Sequence, residues 1–355
     1  MSENPLFARR RFLLGGSAIG AGVLLSACTS NATPGEENNQ AIAQGGGDNA
    51  APGEEVNIGF SAPSADHGWM AAMTRNAQAQ ADAYSDVVFN ATEGTNDVNQ
   101  QIAQVETLIN SGVDVLIILP HDGAALTSVG QQAMDAGIPV INVDRVFDSP
   151  LAYRMWIGGD NYRMGVNAGN YIGERLKEEG VDDPVIAEVA GIDSLPLTQE
   201  RSQGFADALE RHGFSVTNRV AAEFTVESGE SETSNLLQAA PRIHALWNHD
   251  DDQGIGVLAA IDNAGRNNPD ELFVVGGAGS SNMMTYIEDP ESVVAATVLY
   301  SPSMCSSAVS MARLLGQAKG LADLAEHEIP ASLTTYSAVV TADNVADYRD
   351  VGFES

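Results

Sequence analysis

Lysine is almost missing from this 355-residue chain, which carries Lys177 and Lys319 and no other. Lysine and arginine together number 17 against 48 aspartates and glutamates, a formal net charge of -31. A nucleic-acid partner needs clustered cations to neutralise phosphates, so that class of function is excluded. The composition fits a protein adapted to high salt, or a coding bias favouring arginine over lysine. Cysteine is as scarce, with Cys28 and Cys305 alone. No disulfide framework can therefore hold the fold, and Cys305 reads as a small buried hydrophobe rather than a nucleophile. There is no GxSxG elbow around Ser194 or Ser280, and the glycine-rich stretch 276–281 has neither the spacing of a dinucleotide fingerprint nor the lysine of a P-loop. His249-Asp250-Asp251-Asp252 is acidic, but consecutive residues at a helix start cannot all face one ion, and such residues also cap helices. Neither a metal nor a cofactor is expected.

What is present starts at the N-terminus. Arg9-Arg10-Arg11-Phe12-Leu13-Leu14 opens an apolar run that ends in Leu25-Ser26-Ala27-Cys28. A basic start, an apolar core too short to span a bilayer comfortably, and small residues before a break are the parts of an export signal. The arginine pair resembles a twin-arginine signal, and Leu25 to Cys28 resembles a lipobox. The resemblance implies that residues 1–27 are removed and that Cys28 becomes the lipidated first residue. An uncleaved N-terminal anchor is the alternative, and both readings put residues 56–355 outside the cytoplasm. Residues 28–55 hold almost no large apolar side chain and many Gly, Asn, Pro and Glu, so they are expected to be a disordered tether.

From Val56 onward, apolar runs of strand length alternate with helical segments. VDVLIILP and IPVINVD are apolar on both faces, which suits parallel strands covered by helices above and below. The rhythm stops near residue 158 and restarts, so the body is expected to be α/β with two doubly wound, Rossmann-like lobes. Ligands in such sheets lie beyond the carboxyl ends of the strands. The acidic run 227–232 reads as a solvated loop.

The loops at those strand ends carry a resemblance. Asp144-Arg145 closes VINVDR, Gly159-Asp160-Asn161 marks a crossover, Gln199 to Phe205 opens a helix, and Asn248-His249-Asp250-Asp251-Asp252 precedes Gly254 and Gly256. Alone, Asp144 could cap a strand and Trp69 could be an ordinary core residue. In this order and spacing the pieces resemble the ribose-type periplasmic binding proteins, the sugar-binding subunits of ABC importers. The resemblance implies three crossings between lobes, with residues 56–158 and 301–330 in the first and 160–299 and 332–345 in the second. It implies a ligand site of His67, Trp69, Asp144 and Arg145 facing Arg201, Phe224, Asp250 and Tyr300. Carboxylates beside arginine forks, with aromatic faces, suit a polyhydroxylated ligand.

Two departures argue against ribose itself. Ala278 stands where ribose-type members place an aspartate, and Tyr300 where many place glutamine. Another pentose, or a polyol such as xylitol, fits better. The expected protein is thus a monomeric lipoprotein on the outer face of the membrane, a binding protein rather than an enzyme. It would deliver a monosaccharide or sugar alcohol to an ABC permease and its ATPase. A sugar sensor presenting its ligand to a chemoreceptor or histidine kinase is the alternative. A carbohydrate hydrolase would need two opposed carboxylates.

Overall fold

Strands that are apolar on both faces must be covered on both, and the fold does this twice. The computed structural model describes residues 52–317 and 329–355. The expected export signal, Cys28 and most of the tether lie outside the described residues. The first sheet contains β1 (Val56–Ser61), β2 (Val87–Ala91), β3 (Val115–Ile118), β4 (Val140–Val143), β5 (Met155–Gly159) and β11 (Ser332–Thr335), in the order β11-β5-β4-β3-β1-β2. The second contains β6 (Ile186–Ala190), β7 (Asn218–Ala221), β8 (Ala245–Asn248), β9 (Phe273–Ala278), β10 (Val294–Leu299) and β12 (Val339–Thr341), in the order β12-β10-β9-β8-β6-β7. All pairings are parallel except β10 with β12. These are the two doubly wound α/β lobes that the alternating pattern predicts.

The helices of seven or more residues among the described residues are α1 (Gly68–Asp82), α2 (Val98–Ser111), α3 (Gly123–Asp135), α4 (Asn161–Glu178), α5 (Pro196–His212), α6 (Val226–Ala239), α7 (Asp251–Asn263), α8 (Ser281–Ile287) and α9 (Met304–Gln317). Several begin on a carboxylate that accepts from the first-turn amides, as Asp97, Asp122, Asp160 and Asp250 do. Helix α9 follows β10 of the second sheet yet packs on α1, β1 and β3 of the first. There Arg313 clasps Asp86 with Nε at 2.7 Å and Nη2 at 2.5 Å, both groups buried, and its guanidinium lies 4.6 Å from the Tyr84 ring centroid.

Two expectations need correction. Ser332–Thr335 was expected in the second lobe, but it pairs in parallel with β5 and becomes the edge of the first sheet. The Leu-Thr-Thr of this segment is a good strand former, and β5 offers it an open edge. The acidic run 227–232 is not a loop but part of α6. Thr225 caps that helix by accepting from Ser228 N, and Glu227 sits in its first turn, where the helix dipole favours negative charge. Gly229 faces α7 so closely that a Cβ there would lie 2.2 Å from the Gln253 carbonyl oxygen.

Candidate functional site

Residues at the carboxyl ends of both sheets meet around one small cavity. The first lobe contributes His67 and Trp69 from the loop after β1 and the start of α1, and Asp144 and Arg145 from the loop after β4. The second contributes Arg201 from α5, Phe224 after β7 and Asp250 after β8. Tyr300, directly after β10, completes the set. All eight residues singled out from the sequence are thus brought together. Leu197 and Ala278 also line the cavity, and Leu197 carried no sequence signal, being one apolar residue at a helix start. A larger cavity adjoins it, sharing Asp144, Arg145 and Leu197 as a common wall.

The arginines are held differently. Arg201 is buried, donating from Nε to Asn161 Oδ1 at 2.9 Å and from Nη1 to the His249 carbonyl at 3.0 Å. Its guanidinium carbon lies 4.6 Å from the Tyr300 ring centroid and 6.0 Å from that of Phe224. The placement depends on helices in backbone contact, since a Cβ on Gly165 of α4 would lie 2.0 Å from the Arg201 carbonyl oxygen. Behind it, His249 Nδ1 accepts from Gly191 N at 3.2 Å, which leaves Nε2 to donate to buried Glu188 at 2.9 Å. Burial lowers the His249 pKa, so the ring is neutral. Arg145 donates from Nη1 to the His121 carbonyl at 2.6 Å, while its buried Nε has no hydrogen-bond partner among the described residues. A buried donor left open in this way carries the cost of its lost hydration.

Asp144 has an unusual backbone, with φ at 60°, and accepts a 2.5 Å hydrogen bond from the Tyr300 hydroxyl. Burial, followed by the nearby Asp144 charge, raises the Tyr300 pKa far above its ordinary value, so the phenol remains a donor. Trp69 donates from Nε1 to the Tyr300 carbonyl at 2.8 Å. The rings of His67 and Trp69 are stacked at 6.5 Å, and Phe224 lies 6.2 Å from His67. Burial opposes protonation of His67, but Asp66 at 2.6 Å and the charges of Asp250 and Asp252 raise its pKa overall. Trp69 is more than a cleft residue. It belongs to the main apolar cluster and is 6% exposed, so truncating it removes core packing as well as cavity wall.

The three consecutive aspartates diverge. Asp250 caps α7 by accepting from Asp252 N and Gln253 N, and burial pushes its pKa upward. Asp251 turns away and accepts from the amides of Gly277 (2.7 Å), Gly279 (2.9 Å) and Ser280 (2.6 Å). Those amides are thereby occupied, which is why the glycine-rich turn cannot cradle a phosphate. Asp252 reaches across to Trp69 N at 3.1 Å. Among the described residues, no group of three or more His, Cys, Asp or Glu side chains is placed to hold a metal ion. Ala278, where the resemblance implies a carboxylate, sits at φ 96°, a conformation rarely adopted by residues with a Cβ.

Comparisons with known proteins identify the family. A family model described as a periplasmic binding protein domain matches residues 58–320. The ribose import binding protein of Bacillus subtilis is 27% identical over 256 residues, 72% of this chain and 80% of that protein. A xylitol-binding protein of Mycolicibacterium smegmatis is 25% identical over 232 residues, 63% of each chain. The fructose-binding periplasmic domain of a hybrid two-component system superposes with a TM-score of 0.71 at 28% identity, covering 83% of this chain and 93% of that one. The chain belongs to the periplasmic binding protein domain family, in its ribose-type branch, and is a binding protein rather than an enzyme.

Proposed function

We propose that this chain is the solute-binding lipoprotein of an ABC importer, capturing one monosaccharide or sugar alcohol between its lobes and delivering it to the permease. The observation that carries the reading is the convergence of Asp144, Arg145, Arg201 and Asp250, with Trp69, Phe224 and Tyr300, around one cavity. Carboxylates and guanidinium forks match adjacent hydroxyls that both donate and accept, and aromatic faces match the C–H surface of a sugar. With Ala278 in place of a carboxylate and the Asp144 carboxyl engaged by Tyr300, the site offers fewer acceptors than a ribose site. A pentose other than ribose, or a polyol such as xylitol, suits it better. The eight cavity residues are the proposed ligand contacts, and the protein is proposed to act as a monomer.

A thermal-shift screen over pentoses, hexoses and sugar alcohols tests the reading. One of these compounds should raise the melting temperature, as ligand binding to the folded state requires. No shift with any of them would overturn it. Lipid anchoring has its own test. Cys28→Ala should release the protein from the membrane or block its maturation, and a membrane-bound mutant of unchanged mass would contradict it. The likeness to a fructose-binding domain of a two-component system favours a second reading, a sensor that presents bound sugar to a signalling partner. Neighbouring permease and ATPase genes would decide for import.

A further inference from the structure

Helix α1 begins without a cap of its own: His67, at the N-cap position, makes no side-chain bond to the first-turn amides. The missing acceptor comes from the other lobe. Asp252, in the first turn of α7, accepts from Trp69 N at 3.1 Å. Helix α7 does not need this carboxylate, because Asp250 already caps it. One buried carboxylate therefore stands between two helix N-termini, one on each lobe, and both present positive ends to it. A Cβ on Gly68 would lie 2.3 Å from the Glu354 carbonyl oxygen and 2.9 Å from Asp252 Oδ1, so the C-terminal backbone, with the carboxylate beside it, holds this position to glycine.

We propose that Asp252 is a positioning residue that joins the lobes, capping α1 across the cleft and so raising the population of the joined, binding-competent state. Asp252 is absent from the cavity lining, so it acts through Trp69, whose amide it fixes and whose ring forms part of the wall. Apparent affinity scales with the fraction of protein in the competent state, so losing the cap weakens binding without removing a ligand contact. The effect on affinity rests on the sugar- or polyol-binding reading above, whereas the joining of the lobes does not.

The experiment uses the mature chain with Asp252→Ala and the near-isosteric Asp252→Asn, both checked by circular dichroism for an intact fold. Without ligand, solution scattering should give a larger radius of gyration for Asp252→Ala than for the parent. Amide exchange at Trp69 should be at least about tenfold faster. Asp252→Asn keeps one acceptor oxygen and should fall between the two. With D-ribose and xylitol as probes, whichever binds the parent should bind Asp252→Ala about tenfold more weakly. Unchanged scattering and exchange in both variants would overturn the proposal. If neither probe binds the parent, the scattering and exchange results still decide on Asp252, and the failure falls on the choice of ligand.

Discussion

Arg201→Lys should weaken ligand binding by about 30- to 1000-fold while leaving the net charge unchanged. The arginine uses Nε for Asn161 and one Nη1 proton for the His249 carbonyl, which fixes the plane of the fork and, in the proposed site, leaves the remaining protons for ligand hydroxyls. An ammonium group offers three donors from a single point and cannot reproduce two parallel bonds to adjacent oxygens. It would also leave Asn161 or the His249 carbonyl short of a donor in a buried place, and it would lose the flat contact with the Tyr300 ring. Together these effects correspond to roughly 2 to 4 kcal/mol of binding free energy. Titration calorimetry with the sugar found by the thermal-shift screen measures it. Unchanged affinity would remove Arg201 from the site, and with it most of the case for a pocket between the lobes.

Arg313→Ala should produce the largest loss of stability, about 3 to 5 kcal/mol, because it leaves Asp86 charged, buried and without its main partner. Gly53 N and Gln317 Nε2 still donate to that carboxylate, but neither carries a charge. The Arg313 hydrogen bonds hold the Asp86 carboxyl far below its ordinary value of 3.8. A carboxyl with a depressed folded-state pKa stabilises the fold above its unfolded value and loses that contribution as pH falls through the folded one. The parent's contribution from this pair should therefore be full at neutral pH and be lost only in acid well below pH 4. Urea unfolding at pH 7 and at pH 3 tests both statements. The first transition should be read, since two lobes need not unfold as one unit. A variant as stable as the parent at pH 7 would show that the ion pair contributes little.

The α/β class and the site were legible in the sequence for separate reasons. Both-face apolar runs such as VDVLIILP can be buried in only a few ways, and the strand-end loops hold the polar residues that the core cannot take. The resemblance then singled out eight of those loop and helix-start residues, and they line one cavity. Partnership was not legible. That Tyr300 bonds Asp144, 156 positions away, or that Asp251 takes the amides of the glycine turn, depends on how strands far apart in sequence lie side by side. Leu197 went unseen because one leucine at a helix start looks like any other. The run 227–232 misled because its acidity suggests solvent, while helix formation there depends on the Thr225 cap and the glycine contact with α7. Ser332–Thr335 misled because edge strands are assigned by whichever sheet has a free side.

The hydrogen bond from Tyr300 to Asp144 has a consequence for redesigning specificity. Tyr300 begins the chain segment that leaves the second sheet for α9 on the first, and its ring fills the space where a Cβ on Gly159, at another crossing, would lie 2.1 Å away. An incoming hydroxyl that seeks the Asp144 carboxyl must share it with, or displace, a phenol rooted in that crossing. The proposed selectivity and the packing of the crossing segments therefore draw on the same residue. A substitution at Tyr300 meant to admit a new sugar would also remove contacts that join Asp144, Trp69 and Gly159, so a change of specificity there is expected to bring a loss of stability with it.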